Sequence, residues 1–391
     1  MKIVDVCAFY TPHGGGVKTY IDRKLAIGAA LGHEIIVIAP GSHDHVELRS
    51  GGGRIVYVAS PQLIVDRRYR YFDDPSAVHA RLDTERPDLV EASSPWRTAN
   101  IVANWQGSAP RSLIMHADPM AAYAYRWFGR FGSREAIDKS FDLFWRHLRR
   151  LGDRFDCVVS ANRHLSSRLQ AGGVAGVTTI PMGVDPGLFS PAHRDAGLRC
   201  DLLARCALPE RASLLIGVGR HSAEKRWPLV IDACLAASQH RPIGLALVGD
   251  GRDRGRIVRH IGNNPHVHLL APIADRLLLA KLMASADALI HGCEAETFGL
   301  VAAEAAASGL PLIVPDAGGA SDFVALDNGE LYAAGDAGAA ARAIGRLLSR
   351  DRTRLIAAAA RRAADAPLID DHFGALFDLY GDLATPLRSA A

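Results

Sequence analysis

Short apolar runs rich in β-branched residues alternate with longer helical patterns from one end of this 391-residue chain to the other. Such runs are typical of strands buried on both faces, which occur in parallel sheets whose crossover connections are helices. The predicted strands form two series, Lys2–Cys7, Glu34–Ala39, Arg54–Ala59, Asp88–Ala92, Ser112–Met115 and Asp156–Ser160, then Leu214–Val218, Ile243–Val248, Val267–Leu270, Ala288–His291 and Leu312–Val314. This alternation predicts an α/β protein with two doubly wound domains.

The segment Pro181–Pro186, which contains two prolines and a glycine, separates the two series of strands. We therefore predict a first domain over residues 1–183 and a second over 184–367, each large enough for its own core. Residues 368–391 have helical apolar spacing and are predicted to form a helix that packs back on the first domain. Ligands of open α/β sheets bind beyond the carboxyl ends of the strands, so we expect a site in a cleft between the domains.

Composition excludes several classes of function. The formal net charge is only +3 and no Lys/Arg block is present, so nucleic acid is not an expected partner. No apolar run approaches membrane-spanning length, and Lys2–Cys7 lacks the apolar core of a signal peptide, so we expect a cytoplasmic protein. The six cysteines contain no CxxC pair and the 16 histidines are scattered, which predicts neither disulfides nor a metal site.

Two carboxylates, Glu296 and Glu304, stand eight residues apart, and the second lies in an alanine-rich helical stretch that is apolar on nearly every side. A buried carboxylate needs a partner, because desolvating it alone costs several kcal/mol. A pair of adjacent hydroxyls, such as a ribose diol, suits a carboxylate that accepts on both oxygens. The plainer alternative is that Glu296 complements the helix dipole and Glu304 is a solvated surface residue.

The turn between these carboxylates places Phe298, Gly299 and Leu300 at the start of the predicted helix. Free backbone N–H groups at a helix N-terminus favour anions such as phosphate. Arg220 and Lys225 follow the predicted strand Leu214–Val218, and a planar guanidinium with a compact ammonium suits a diphosphate. We predict that these groups form one nucleotide-diphosphate site.

Two features of the first domain are weaker indicators. Gly14, Gly15 and Gly16 follow the first strand, where glycines let backbone amides approach a phosphate or simply form a tight turn. A dinucleotide-binding fingerprint is disfavoured, because Thr19 stands where its third glycine belongs. His116 follows another strand and is either structural or part of the site.

The segment from Tyr123 to Arg154 mixes aromatic and basic side chains. Such a mixture is typical of surfaces that contact anionic membranes, so we consider peripheral contact with the inner face of the membrane. Core packing is the stronger explanation for the aromatic and apolar residues that recur at helical spacing, namely Phe141, Phe144, Trp145 and Leu148.

Taken together, these motifs resemble those of family-4 glycosyltransferases, which have the GT-B fold of two Rossmann-like domains. The resemblance covers nearly the whole chain, through Gly15-Gly16-Val17, Gly32-His33-Glu34, Ile180 to Asp185, Gly217 to Arg220 with Glu224-Lys225, Val248 to Gly251, Ala286-Asp287, Glu296 to Glu304 and Gly309-Leu310-Pro311. Two departures are Lys18, where an acidic or polar residue is common, and Glu91 to Ser94, where histidine is frequent.

The resemblance implies a role for each matching residue. Glu304 would hold the ribose, Glu296 the hydroxyls of the donor sugar, and Arg220 and Lys225 the leaving diphosphate. Backbone groups of Phe298, Gly299 and Leu300 would contact sugar and phosphates, Gly15 and Gly16 would approach the diphosphate, and His116 would contact the donor sugar.

The implied reaction transfers a hexose-type sugar from a nucleotide diphosphate sugar to a hydroxyl of a glycan or glycolipid, with retention of anomeric configuration. We expect no cofactor and no required metal, because fixed cations and amides can stabilise the leaving diphosphate. UDP is expected as the nucleotide in preference to GDP. The alternatives are a non-catalytic sugar-nucleotide-binding regulator and, ranked lower, a nucleotide-sugar epimerase of similar fold.

Overall fold

The structure is a computed structural model that describes residues 1–11, 16–64, 69–116, 118, 120, 124, 128 and 134–388. The chain divides into two compact units. The first comprises Met1–Asp118, Trp127–Pro181 and Asp370–Ala391, and the second comprises Pro119–Arg126 and Met182–Ile369. Each unit is built on one sheet with helical connections, and the predicted α/β class is confirmed.

The first unit contains an eight-stranded sheet in the order β3-β4-β2-β1-β5-β6-β7-β8. Its strands are β1 Lys2–Val6, β2 Glu34–Gly41, β3 His45–Leu48, β4 Arg54–Ala59, β5 Leu89–Ala92, β6 Arg111–Met115, β7 Cys157–Ser160 and β8 Val177–Thr179. Among the described strands of this sheet, β3 at the edge pairs antiparallel and the other neighbours are parallel. The described helices of this unit are α1 Gly16–Ala30, α2 Pro75–Glu85, α3 Arg97–Asn104, α4 Arg134–Ser140, α5 Asp142–Gly152 and α6 Arg163–Ala171.

The second unit contains a six-stranded, fully parallel sheet in the order β11-β10-β9-β12-β13-β14. Its strands are β9 Ser213–Val218, β10 Ile243–Val248, β11 Val267–Leu270, β12 Ala288–Ile290, β13 Leu312–Pro315 and β14 Gly329–Tyr332. Its described α-helices are α7 Ala196–Arg205, α8 Trp227–Ser238, α9 Arg254–Ile261, α10 Arg276–Ser285, α11 Leu300–Ala307, α12 Ala337–Ser349 and α13 Arg352–Ala363.

The last helix, α14 Ile369–Arg388, belongs to the first unit from Asp370 onward. Phe373 and Tyr380 are fully buried on its inner face. The ring of His372 lies 3.2 Å from the Tyr20 hydroxyl of α1 and 3.1 Å from the carbonyl oxygen of Pro181. A helix that comes last in the chain therefore supplies part of the core of the first unit.

A charged cluster is completely buried beneath this helix. The Lys24 ammonium of α1 lies 3.0 Å from Asp5 on β1 and 2.6 Å from Glu91 on β5, and all three side chains are inaccessible to solvent. The Tyr380 hydroxyl donates to Glu91 at 2.5 Å, and Ser93 donates to Asp5 at 2.7 Å. Burial and the neighbouring Glu91 raise the pKa of Asp5 to about 6, although Lys24 opposes the shift.

All six cysteines are free, as predicted. Among the helices of the described residues, none is both long and apolar enough to span a bilayer.

Replacing Lys24 with Met tests the role of the buried cluster. The substitution leaves the carboxylates of Asp5 and Glu91 buried without their cation, so we expect a loss of about 3–5 kcal/mol in the free energy of unfolding. Urea denaturation followed by circular dichroism measures it. The control is Lys18→Met on the same helix, whose partly exposed pair with Asp22 should contribute no more than about 1 kcal/mol. Equal losses in the two variants would show that the buried cluster contributes no more stability than the partly exposed pair.

Candidate active site

The loop after β9 is braced by the loop after the neighbouring strand β10. Gly219 donates its N–H to the carbonyl of Val248 at 3.0 Å, and His221 donates its N–H to the carbonyl of Asp250 at 2.8 Å. Gly249 has a φ of 150°, and a Cβ added there would lie 2.0 Å from the carbonyl oxygen of Gly219. Only glycine permits this approach, which holds the segment from Gly219 to Lys225 against the end of the sheet.

Lys225 and Glu296 form an ion pair at the carboxyl ends of β9 and β12. The Nε2 atom of His291, which directly follows β12, lies 3.4 Å from the same Glu296 oxygen. Burial raises the pKa of Glu296, but Lys225 and His291 outweigh it and hold the pKa well below its ordinary value. Burial lowers the pKa of Lys225, and Glu296 more than compensates, so its pKa lies above the ordinary value. Both groups are therefore charged at neutral pH.

Arg220 lies on the same loop, with an exposed side chain. Its carbonyl oxygen accepts a hydrogen bond from the indole N–H of Trp227 at 2.9 Å, which fixes the backbone beneath the side chain. Its guanidinium favours the ionised form of the nearby Glu224 carboxyl, although no ion pair within 4.0 Å among the described residues includes Arg220. It remains available to an anionic ligand.

The turn from Glu296 to Gly299 rests on the turn that follows β13. Gly319 donates its N–H to the carbonyl of Glu296 at 2.7 Å, and the Phe298 ring packs edge-on against Phe323 at 5.3 Å between centroids. Gly299 caps the N-terminus of α11 with a φ of 81°. A Cβ there would meet the backbone of Ala320 at 2.8 Å. Gly299 thus fixes the backbone turn that leads into α11. The helix begins where the sequence predicted, so its first N–H groups lie at that position.

Glu304 lies in the middle of α11 and is only 2% exposed. The prediction that it is buried is confirmed, and the structure supplies a protein partner that the sequence did not reveal. The Arg276 guanidinium, at the start of α10, donates to Oε1 of Glu304 at 2.5 Å. Burial raises the pKa of Glu304, Arg276 opposes this shift, and the pKa remains above its ordinary value.

Three of the predicted site residues, Gly15, Gly16 and His116, belong to the first unit. His116 directly follows β6 and packs edge-on against the Tyr20 ring at 4.8 Å. Burial lowers the pKa of His116 to about 4, so its imidazole is neutral at physiological pH. Gly16 is the first residue of α1, whereas Gly15 lies outside the described residues.

Sequence analysis missed two residues of the second unit, Arg276 and His291. A signal for His291 existed, since it is a polar residue immediately after a buried strand and such positions meet at one edge of a parallel sheet. Arg276 stands 28 residues before Glu304 in no recognisable motif. The contact between Arg276 and Glu304 arises only because α10 packs against α11.

His291, Cys293 and Glu296 place one potential metal-ligand atom each within 4.8 Å of one another. The ammonium of Lys225 already bonds to the Oε1 atom of Glu296, so a metal ion would have to displace it. Burial also raises the pKa of Cys293 to about 12, which keeps the thiol protonated. These contacts favour an ammonium at this carboxylate over a metal ion.

Comparison with known proteins identifies the family. Residues 14–188 match the family described as Glycosyltransferase Family 4, and residues 203–362 match Glycosyl transferases group 1. A GDP-mannose-dependent alpha-(1-6)-phosphatidylinositol dimannoside mannosyltransferase of Mycobacterium tuberculosis is 30% identical over 333 residues, which cover 84% of this chain and 83% of the relative.

Solved structures agree on the fold. Sucrose-phosphate synthase from Thermosynechococcus elongatus superposes with a TM-score of 0.76 at 19% identity, covering 100% of both chains. Anabaena HepE in complex with UDP and glucose superposes with a TM-score of 0.71 at 20% identity, covering 97% of this chain and 99% of that one. The two parallel sheets and these superpositions give the GT-B fold, and the matching family models with the mycobacterial relative define the protein as a glycosyltransferase that uses a nucleotide sugar. The chain belongs to glycosyltransferase family 4.

Gly299→Ala tests the turn that precedes α11. A non-glycine residue in the left-handed region costs about 1–2 kcal/mol, and here its Cβ also meets Ala320. We therefore expect a loss of at least that size in the free energy of unfolding, measured by urea denaturation. The control is Gly345→Ala in α12, where no atom lies within 4 Å of an added Cβ and where alanine should be neutral or stabilising. A Gly299→Ala protein as stable as wild type would refute the strain.

Proposed function

We propose that this enzyme is a retaining mannosyltransferase that moves mannose from GDP-mannose to a hydroxyl of a glycolipid. One observation carries the assignment of the donor site. Arg220, Lys225 and Glu296 lie on loops at the carboxyl ends of adjacent strands of the second unit, and Glu304 follows on α11, in its second turn. The two cations suit the diphosphate of a nucleotide sugar, and the two carboxylates suit the hydroxyls of its sugar and its ribose.

The charges of the site residues determine the role that we propose for each. Arg220 and Lys225 neutralise the charge that develops on the leaving diphosphate, assisted by the N–H groups at the start of α11. The paired cation keeps Glu296 ionised, so this carboxylate accepts hydrogen bonds from sugar hydroxyls. Glu304 accepts from the ribose hydroxyls. Two fixed cations supply the charge that a metal ion would otherwise bring, and we propose that none is required.

The proton of the acceptor hydroxyl passes to an oxygen of the leaving phosphate in the proposed same-face reaction. The bond from the anomeric carbon to the phosphate oxygen breaks as the bond to the acceptor oxygen forms on the same face. No carboxylate is then needed as a nucleophile. His116, which is neutral, serves as a hydrogen-bonding partner of the donor sugar in this proposal.

The nucleotide base that we propose differs from the uracil of the UDP expected from the sequence. The mycobacterial relative is described as GDP-mannose-dependent, so the preference for UDP finds no support in it. HepE, which was solved in complex with UDP, shares only 20% identity with this chain, so its likeness supports the fold and not the nucleotide. We therefore propose GDP, with mannose as the hexose.

The proposed acceptor is a phosphoinositol-type glycolipid on the inner face of the membrane. Support comes from the relative, which is described as acting on phosphatidylinositol dimannoside. A cytoplasmic enzyme that reaches this acceptor must work at the membrane surface. Part of the aromatic and basic segment considered for that contact, including Tyr125, Trp127 and Arg130, lies outside the described residues. In its described part, Trp145 and Leu148 are buried, as core packing predicts, whereas Phe141 and Phe144 are only half-buried.

Nucleotide binding tests the donor. A ligand that binds the native state alone raises the melting temperature, by an amount that grows with its concentration relative to Kd. We expect GDP to raise the melting temperature more than UDP or ADP at equal concentration in a thermal-shift assay, and GDP-mannose to do the same relative to UDP-glucose. A larger shift with UDP would show that the proposed base is wrong. The absence of a shift with any of these nucleotides would show that the proposed donor site is wrong.

Lys225→Ala and Glu296→Gln test the assigned roles. We expect each to lower kcat/KM by about 100-fold or more, because each removes a charge from the reacting part of the site. Transfer of radiolabelled mannose from GDP-mannose to a lipid extract measures it. Lys281→Ala, which removes an exposed lysine of α10, is the matched control and should retain wild-type activity. Near-normal turnover by either site variant would disprove its role.

A further inference from the structure

Arg276 is placed to act on the buried carboxylate of Glu304. It is the first residue of α10, and the side chain of the preceding Asp275 accepts from the N–H groups of Leu277 and Leu278 at 2.9 and 3.1 Å. Its guanidinium lies 5.0 Å from the centre of the Phe189 ring, a cation–π distance. The helix cap and the ring hold Arg276 where one of its N–H groups donates to Glu304 at 2.5 Å.

The two partners differ sharply in exposure. The side chain of Glu304 is 3% exposed, whereas that of Arg276 is 44% exposed. Arg276 thus brings a solvated cation to the edge of an apolar helix and bonds to only one carboxylate oxygen, Oε1. The contact leaves Oε2 of Glu304 for a second donor.

Electrostatics around Glu304 depends on this one cation. Burial disfavours the carboxylate, and the nearby Asp185 disfavours it further, whereas Arg276 favours it. Helix α11 also packs against β13, against the 3-10 turn Gly319–Phe323 and against α13. Those elements carry the charged residues Asp322, Arg352, Arg354, Arg361 and Arg362, and among the described contacts none of them pairs with Glu304.

We propose that Arg276 is a positioning residue of the nucleotide site, which keeps Glu304 ionised and aimed so that its free oxygen accepts hydrogen bonds from the ribose. This inference rests on the proposed function, since it concerns the carboxylate assigned to the nucleotide. Arg276 acts through Glu304 and is not itself a catalytic residue. Its loss should make nucleotide affinity depend on pH, because the buried carboxylate then protonates more readily as pH falls.

Isothermal titration of GDP into wild type and Arg276→Gln, at about pH 6.5 and about pH 8.5, tests the proposal. The readout is the ratio of the two Kd values at each pH, which cancels the titration of GDP itself. We expect a ratio within about threefold at the higher pH and about tenfold weaker binding by the variant at the lower pH, because a protonated carboxyl is a poorer acceptor than a carboxylate.

Three further variants identify the cause. Arg276→Lys should restore the wild-type profile, since an ammonium also favours the carboxylate. Arg276→Gln combined with Glu304→Gln should bind weakly at both pH values with no dependence on pH. Arg342→Gln, which removes an arginine that is 68% exposed beside Asp336 of the same unit, should match wild type. Because Arg276 is half exposed, its variants should fold, as circular dichroism would verify.

The outcomes distinguish this inference from the proposed function. A ratio of Kd values that is the same at both pH values overturns the role of Arg276. Tighter binding by Arg276→Gln at the lower pH also overturns it, because Arg276 would then compete with the ribose for Glu304. If wild type binds none of GDP, UDP or ADP at either pH, the donor site itself is wrong and this inference falls with it.

Discussion

Parallel strands covered on both faces leave only their ends for polar side chains, and this constraint governs both units of the protein. Strands such as β2 and β10 are buried along nearly their entire length, so a charge on them needs a partner at once. In the first unit Asp5 and Glu91 are tolerated because Lys24 lies between them. In the second unit the charged residues of the predicted site lie beyond the ends of β9 and β12, where paired loops hold Lys225 and Glu296.

Glycine makes those loops possible. The carbonyl of Gly219 approaches Gly249 more closely than any side chain would permit, and Gly299 turns the chain against the backbone of Ala320. Both contacts bring backbone segments close together at the edge of the sheet. The side chains of Lys225 and Glu296 therefore start from a fixed backbone, and preorganisation of this kind is what electrostatic stabilisation of a leaving group requires.

The sequence revealed the strands that have a continuous apolar pattern, and it missed three edge strands. The edge strand β3 is mostly exposed, β8 is three residues long, and β14 begins with glycine, so none has a continuous apolar pattern. Motif spacing located Glu296 and Glu304, because they lie on one segment. It could not reveal Arg276, whose contact with Glu304 arises from helix packing, nor the burial of Lys24, which looks like any surface lysine of an amphipathic helix.

Glu296 and Glu304 are the same residue type on one short segment, yet their pKa values shift in opposite directions. Burial opposes ionisation of both. At Glu296 an ammonium and an imidazole converge on one oxygen and prevail, so this carboxylate stays charged over a wide range of pH. At Glu304 a single, half-exposed guanidinium is opposed by Asp185, and burial prevails. The first arrangement suits a group beside reacting charges, whereas the second suits a group that accepts from neutral hydroxyls and is sensitive to the loss of one partner.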